Sequence, residues 1–250
     1  MQAAPPSPTT LDAAEIDRFA RNAAEWWDVN GKFRTLHLIG PARLTFLRDA
    51  LVRHFGRTPG WSRPLDRLTV LDIGCGGGLV CEPLCRLGAA VTGIDPAQDN
   101  VEAARRHAEG QRLAIDYRAA RVEDLAAEGC TFDAVVCLEV VEHVPDAGAF
   151  LKTCAALVRP GGLMLLSTIN RTVKAYLLAI VGAEYLLGWL PVGTHQWDRF
   201  VTPDELVRHL QAAGLDAPEL RGMVYSLLAD VWSLSSDTDV NYLAAAAKPA

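Results

Sequence analysis

The chain has 250 residues, half of them apolar, enough for one α/β domain with decorations and a sizeable buried core. Its formal net charge of -6 argues against a general nucleic-acid binder, and Met1 to Thr10 has neither the apolar core of a secretory signal nor the arginines of a mitochondrial presequence. The six cysteines form no C-x-x-C pair matched by a second, so zinc is not indicated and reduced thiols in a cytosolic protein are expected.

Residues 1–10 are rich in Pro, Ser and Thr and read as a disordered tail. Leu11 to Trp27 reads as a helix, with Thr10 or Asp12 as cap and Ile16, Phe19, Ala20, Ala23 and Trp27 at helical spacing. The adjacent Trp26 and Trp27 either pack this arm onto the body or face a ligand. Pro41 is expected to start a second helix that runs to about Phe55. That would place Arg43 in a first turn, where the helix dipole disfavours a cation. Such a residue either meets a ligand carboxylate or is a solvated arginine. Residues 11–57 thus read as a helical arm ahead of a domain at 58–250.

Leu68-Thr-Val-Leu-Asp-Ile-Gly-Cys-Gly-Gly-Gly78 begins as a buried strand and breaks into a glycine loop, followed by a helix over Leu79 to Leu87. Gly74, Gly76 and Gly78 leave room where the backbone turns and a ligand lies close. This is the first unit of a doubly wound nucleotide fold. The dinucleotide fingerprint fails, because position 79 is Leu79 and position 81 is Cys81, and no Gly-Lys-Ser/Thr follows for a P-loop. Asp72 before the loop suits a ligand that carries an ammonium and a sulfonium. The pattern resembles the first motif of class I S-adenosylmethionine (SAM) methyltransferases.

Ala89 to Asp95 reads as a second strand ending in an acid, at the spacing from Gly74 that puts a carboxylate on ribose hydroxyls. Its two oxygens would accept from both hydroxyls; the alternative is a helix cap near Pro96. Asn100 to Gly110 is expected to be helical and Leu113 to Arg118 a third strand. Glu123 or Asp124 follows in a loop, where related enzymes place an acid near the adenine amino group. Phe132 to Leu138 is a fourth, fully buried strand, Phe150 to Val158 a helix, Arg159 to Gly162 a turn, and Leu163 to Ser167 a fifth strand. The alternation implies a Rossmann-like α/β fold, a mostly parallel sheet with helices on both faces. Residues 170–200 interrupt it as a helical insertion. Thr202-Pro-Asp-Glu-Leu starts a capped helix, and antiparallel strands end the chain.

Trp26-Trp-Asp, Leu36-His with Pro41-Ala-Arg43, Leu71 to Gly78, Cys137-Leu-Glu-Val-Val-Glu-His143, Ser167-Thr-Ile-Asn-Arg171, Val181-Gly-Ala-Glu-Tyr185, Gly193-Thr-His195 and Asp239-Val-Asn-Tyr242 together resemble the ubiquinone-biosynthesis O-methyltransferases. The likeness runs from about Phe19 to Leu243. Leu38 and Gly40 depart from it, standing where that family usually has Arg and Asn. The resemblance implies SAM-dependent O-methylation of phenolic hydroxyls on polyprenylated, catechol-type rings, at both O-methylation steps. It implies SAM contacts from Arg43, Gly74, Asp95 and Leu138, the last packing on the adenosine; Asp72, Gly76 and Asp124 complete the expected SAM site.

Glu139, Glu142 and His143 follow the fourth strand. They either hold Mg2+ or another divalent cation, or provide His143 as a general base beside Glu142 without metal, or cap the next helix. His195 is a weaker base candidate. The apolar and aromatic run Val173 to Val192 reads as a core helix, a lid over an apolar substrate or a membrane-surface segment. The expected location is cytoplasmic, peripheral to the inner face of the cytoplasmic membrane, with anionic lipid and a ubiquinone-synthesis complex as partners and no nucleic acid. The rival readings are a SAM methyltransferase for another small or lipid acceptor and a non-catalytic SAM-binding subunit.

Overall fold

The computed structural model describes residues 20–58, 60–177, 197–226, 229 and 231–250. The expected tail, most of the expected helix from Leu11, most of the insertion and His195 lie outside them. Ala23–Glu25 is a single 3-10 turn rather than the end of a continuous helix. Helix α1 covers Arg34–His54 and carries Pro41 inside it, contrary to the expectation that Pro41 starts it. A proline there removes one backbone hydrogen bond. The buried face formed by Ile39, Ala42, Phe46, Leu47, Ala50 and Leu51 runs on both sides of Pro41 and holds the helix together. Arg43 is therefore mid-helix, and the dipole argument for it does not apply.

The sheet has eight strands in the order β3-β2-β1-β4-β5-β8-β6-β7. They are β1 Thr69–Ile73, β2 Ala90–Asp95, β3 Asp116–Ala119, β4 Phe132–Leu138, β5 Val158–Ile169, β6 Glu219–Ser226, β7 Val231–Ser235 and β8 Asn241–Ala247. β1 to β5 run parallel, and β8, β6 and β7 join antiparallel, as expected for the end of the chain. Arg159 to Gly162, expected as a turn, lies within β5, and the register against β4 shifts there. The helices between strands are α2 Cys81–Arg86, α3 Gln98–Gly110, α4 Val122–Ala127, α5 Ala147–Ala156 and α6 Pro203–Ala212. α4 occupies the place read as a loop around Asp124.

Alternate residues of β1 and β4 point to opposite faces, and both faces are covered. Val70, Ala134 and Val136 pack with α1, α2 and α3, whereas Leu71, Ile73, Val135 and Cys137 pack with α4, α5 and α6. Each fully buried Val or Leu here is worth about 1.5–3 kcal/mol. α1 shares this core with the sheet, so the arm is built onto the domain. Thr202 and Glu205 form the expected reciprocal cap of α6. The carboxyl ends of β1, β2 and β4 open side by side at the switch point of the strand order, where ligands of such sheets bind.

Candidate active site

β1 ends in the glycine loop. Gly74, Gly76 and Gly78 all have positive φ, at 71°, 50° and 88°. The space beside them is also taken. A Cβ on Gly74 would overlap Val140, one on Gly76 or Gly77 would overlap the Trp26 ring, and one on Gly78 would overlap the Tyr117 hydroxyl. The loop is fixed to β2 by the amides of Gly74 and Cys75, which donate to the Ile94 carbonyl at 2.9 Å each.

Asp95 closes β2 and is buried. Its Oδ2 accepts from the Gly76 amide at 3.0 Å, and its Oδ1 accepts from the Ala97 amide at 2.9 Å and from Asn100 Nδ2 at 3.1 Å. Burial pushes its carboxyl above the usual range, and these three donors pull it back. A carboxylate has about four acceptor positions. Three are in use, so one remains on Oδ2. The expectation that both oxygens stand open to two ribose hydroxyls is met only in part.

Arg43 is buried, and its Nη2 lies 2.7 Å from Glu139 Oε1, which also accepts from Ser167 Oγ at 2.6 Å. The Arg43 contact is ionic and off the hydrogen-bond direction: among the described residues Nε and Nη2 have no hydrogen-bond partner. Glu139 has a φ of 54°, the left-handed region that side chains rarely adopt. It follows Leu138 at the end of β4, and Val140, the next residue, lies against Gly74. The arginine is thus paired at the end of β4, one residue before the Val140 that packs on Gly74.

Glu142 is buried, and its Oε2 accepts from Thr168 Oγ1 at 2.9 Å while Oε1 has no hydrogen-bond partner. Burial, then the neighbouring Glu139, pushes its carboxyl well above the usual range. His143 is half-buried at the end of a 3-10 turn, Val141–His143. The following helix is capped by Asp146, whose Oδ1 accepts from the Ala149 amide at 2.9 Å, so Glu142 and His143 are not its cap.

Three expectations need correction. Asp72 shares a face with Val70, and its carboxylate lies under α2, where Cys81 Sγ donates to Oδ2 at 3.1 Å. It faces the thiol and not the crevice, and burial pushes its carboxyl up to about 7. Asp124 lies in the first turn of α4. It accepts from the Arg121 amide at 2.9 Å and pairs with Nη2 of Arg121 at 2.8 Å, a local cap instead of an adenine contact. Glu139, Glu142 and His143 do not gather as metal ligands: among the described residues no three His, Cys, Asp or Glu side chains do so. Arg43 already neutralises Glu139, and Thr168 turns Glu142 aside.

The residues that the sequence reading left out are Asn100, Tyr117, Ser167, Thr168 and Glu82. Glu82 is fully buried and pairs with Arg86 at 2.9 Å and with His107 Nδ1 at 2.5 Å. The His107 ring stacks on Trp27 with centroids 3.5 Å apart, and Trp27 Nε1 donates to the Gly77 carbonyl at 2.9 Å. Both tryptophans thus pack the arm onto the loop.

The crevice fits SAM by its donor set. Among the described residues Arg43 Nε and Nη2 lack a hydrogen-bond partner and Asp95 Oδ2 accepts one hydrogen bond, so a cation suited to a carboxylate and an acceptor suited to ribose are both present. Residues 42–220 match the family model described as methyltransferase domain. Ubiquinone biosynthesis O-methyltransferases of Chelativorans sp. (strain BNC1), Methylobacterium sp. (strain 4-46) and Bradyrhizobium diazoefficiens are 53%, 52% and 55% identical. These matches cover 96%, 98% and 95% of this chain and 95%, 98% and 94% of theirs. The fold is also that of magnesium protoporphyrin IX methyltransferase from Synechocystis PCC 6803 with bound SAH, at a TM-score of 0.64 and 21% identity, covering 95% of each chain. A SAM-dependent methyltransferase from Clostridium acetobutylicum ATCC 824 gives a TM-score of 0.59 at 13% identity, covering 94% of this chain and 99% of that one. At such identities they speak for the fold alone. On its likeness to relatives over nearly its whole length, the chain belongs to the ubiquinone biosynthesis O-methyltransferase family.

Proposed function

We infer that this chain methylates phenolic hydroxyls on polyprenylated, catechol-type rings of ubiquinone biosynthesis, with SAM as donor and at both O-methylation steps. The family membership supports the reaction class. The observation in the site that supports it is Arg43, a buried cation paired with Glu139 whose Nε and Nη2 lack a hydrogen-bond partner among the described residues. SAM, when bound, supplies a methyl group already activated on a sulfonium. Arg43 holds the carboxylate, Gly74 and Gly76 allow close approach, Asp95 holds the ribose, and Leu138 lines the adenosine side.

The protein's remaining work is to orient a phenol and remove its proton. His143 accepts the phenolic proton as the oxygen takes the methyl group, and the S–C electron pair stays on sulfur. Burial, then the neighbouring Glu139, pushes the Glu142 carboxyl well above the usual range, which disfavours a second negative charge there. No step is routed through a divalent cation, since the carboxylate pair lacks a third ligand as arranged here.

The polyprenyl tail favours lipid by about 0.8 kcal/mol per buried CH₂, so the enzyme must work at the bilayer surface. Val173, Tyr176, Leu177 and Trp197, in the described ends of the insertion, are exposed, which supports peripheral contact there. No described helix is long and apolar enough to cross a membrane. The attachment proposed is reversible, on an anionic cytoplasmic face.

The test is transfer of labelled methyl from SAM to a short-tailed catechol. Label in an O-methyl product is the expected result. SAM binding without any transfer would instead make the chain a non-catalytic SAM-binding subunit.

A further inference from the structure

Behind Asp95 lies a second buried connection. Trp26 Nε1 donates to Asn100 Oδ1 at 2.9 Å, and Asn100 Nδ2 donates to Asp95 Oδ1 at 3.1 Å. Trp26, Asn100 and Asp95 are 7%, 1% and 7% exposed, so water does not compete along the line. The indole N–H is a donor only, whereas an Asn side chain offers an acceptor at one end and two donors at the other. Whichever way the amide turns, one end faces Trp26 and the other faces Asp95. With the indole N–H present, the carbonyl must face Trp26 and the NH₂ must face the carboxylate. The reversed amide would set a carbonyl oxygen against a buried carboxylate and leave the indole N–H unsatisfied.

The indole lies between α3 and the glycine loop, against Gly76 and Gly77. It stacks on Phe33 with centroids 3.7 Å apart and packs with Ala103, one turn beyond Asn100. Its hydrogen-bonded link to Asp95 runs through Asn100.

We propose that Trp26 is a positioning residue for SAM binding: through the amide of Asn100 it sets the carboxylate of Asp95, and so ties the N-terminal arm to the ribose site. This rests on the reading of Asp95 as the ribose acceptor. Asn100 by occupying Oδ1 leaves Oδ2 as the oxygen presented to a hydroxyl. An arm out of place frees the amide to turn, and affinity for SAM falls with no change at the reacting atoms.

The experiment is a double-mutant cycle with SAM binding by calorimetry and steady-state kinetics on the full chain, using Trp26→Phe, Asn100→Ala and the double variant. Trp26→Phe keeps an aromatic ring and loses the donor. Its expected effect is a SAM Kd and KM raised about tenfold, the upper end for one neutral hydrogen bond, with kcat at saturating SAM within about twofold. Asn100→Ala should weaken SAM to a similar degree, and the double variant no further than Asn100→Ala alone. Additive losses would overturn the proposal, because they would make Trp26 a packing residue independent of Asn100. Unchanged or tighter SAM binding by Trp26→Phe would also overturn it, the latter showing that the indole stands in the way. Should Trp26→Phe fold poorly, the benzothienyl analogue of Trp26, of the same shape without the N–H, tests the same loss of the donor. Asp95→Asn separates the underlying reading: full SAM affinity there refutes the ribose assignment, whatever Trp26→Phe does.

Discussion

Arg43 Nη2 and Glu139 Oε1 stand 2.7 Å apart at the carboxyl end of β4, with the arginine side chain only 6% exposed. Taking two charges from water costs several kcal/mol, which their attraction offsets only with good geometry and full hydrogen bonding. This pair has the distance but not the bonding, since two guanidinium nitrogens remain without hydrogen-bond partners. On the function proposed above, the carboxylate of SAM supplies what is missing.

Arg43→Ala leaves Glu139 beside Glu142 with no cation. The expected cost is about 3–5 kcal/mol of stability, the usual result of breaking one side of a buried pair. Urea unfolding should show a lower midpoint, and saturating SAM should raise the melting temperature of wild type much more than that of the variant. Equal stabilisation of both by SAM would remove Arg43 from the cofactor site.

Asp95→Asn keeps the shape of the side chain and discards the charge. Asp95→Ala is a poorer test, because it leaves the Gly76 and Ala97 amides and the Asn100 side chain without their acceptor. Bonds to charged groups are worth about 1.5–3 kcal/mol, so Asp95→Asn should weaken SAM at least about tenfold. Calorimetry decides it.

His143→Ala should lower kcat by about 10²–10⁴, the range of general-base contributions, and leave the SAM Kd unchanged. A parallel loss of SAM affinity would point to a role in holding the loop instead of moving a proton.

Asp72 gives a pH signature. Burial raises its carboxyl from the ordinary 3.8 to about 7. The native state therefore holds a proton there that the unfolded chain releases at lower pH. Its stabilising contribution is complete below about 3.8 and is lost as the pH rises to about 7. Over that window wild type should lose stability relative to Asp72→Asn, by at most ~1.4 kcal/mol per pH unit. Unfolding curves that stay parallel from pH 4 to pH 7 would refute a buried neutral carboxyl.

Leu177→Glu with Trp197→Glu puts two charges among the exposed apolar residues in the described ends of the insertion. Wild type should float with anionic vesicles, and the double variant should remain in solution and still bind SAM. Indifference of wild type to vesicles of every composition would leave delivery of the lipid substrate to a partner protein.

The readable parts of this protein are those whose physics is local. An apolar run that breaks into glycines can only be a buried strand and a tight turn, and an acid at the end of the next strand lies beside that turn. Thr202 and Glu205 satisfy each other's backbone within four residues, so the start of α6 is written in place. Pro41 shows the limit of local rules. It reads as a helix start, but the apolar face running through it makes packing outweigh one lost hydrogen bond. Asp72 and Asp124 look like ligand contacts by spacing, yet spacing does not say which way a side chain turns. Alternation along β1 carries Asp72 under α2, and Arg121 takes Asp124 for a cap. The pairs Arg43–Glu139 and Trp26–Asn100 join segments far apart in the chain. A buried charge or N–H must find a partner, but which partner it finds depends on which distant segments the core brings together. The sequence by itself determined the fold class, the glycine loop, the acid at its side and the family resemblance. Only the packing of α1 and the arm against the sheet decided which charges meet in the crevice.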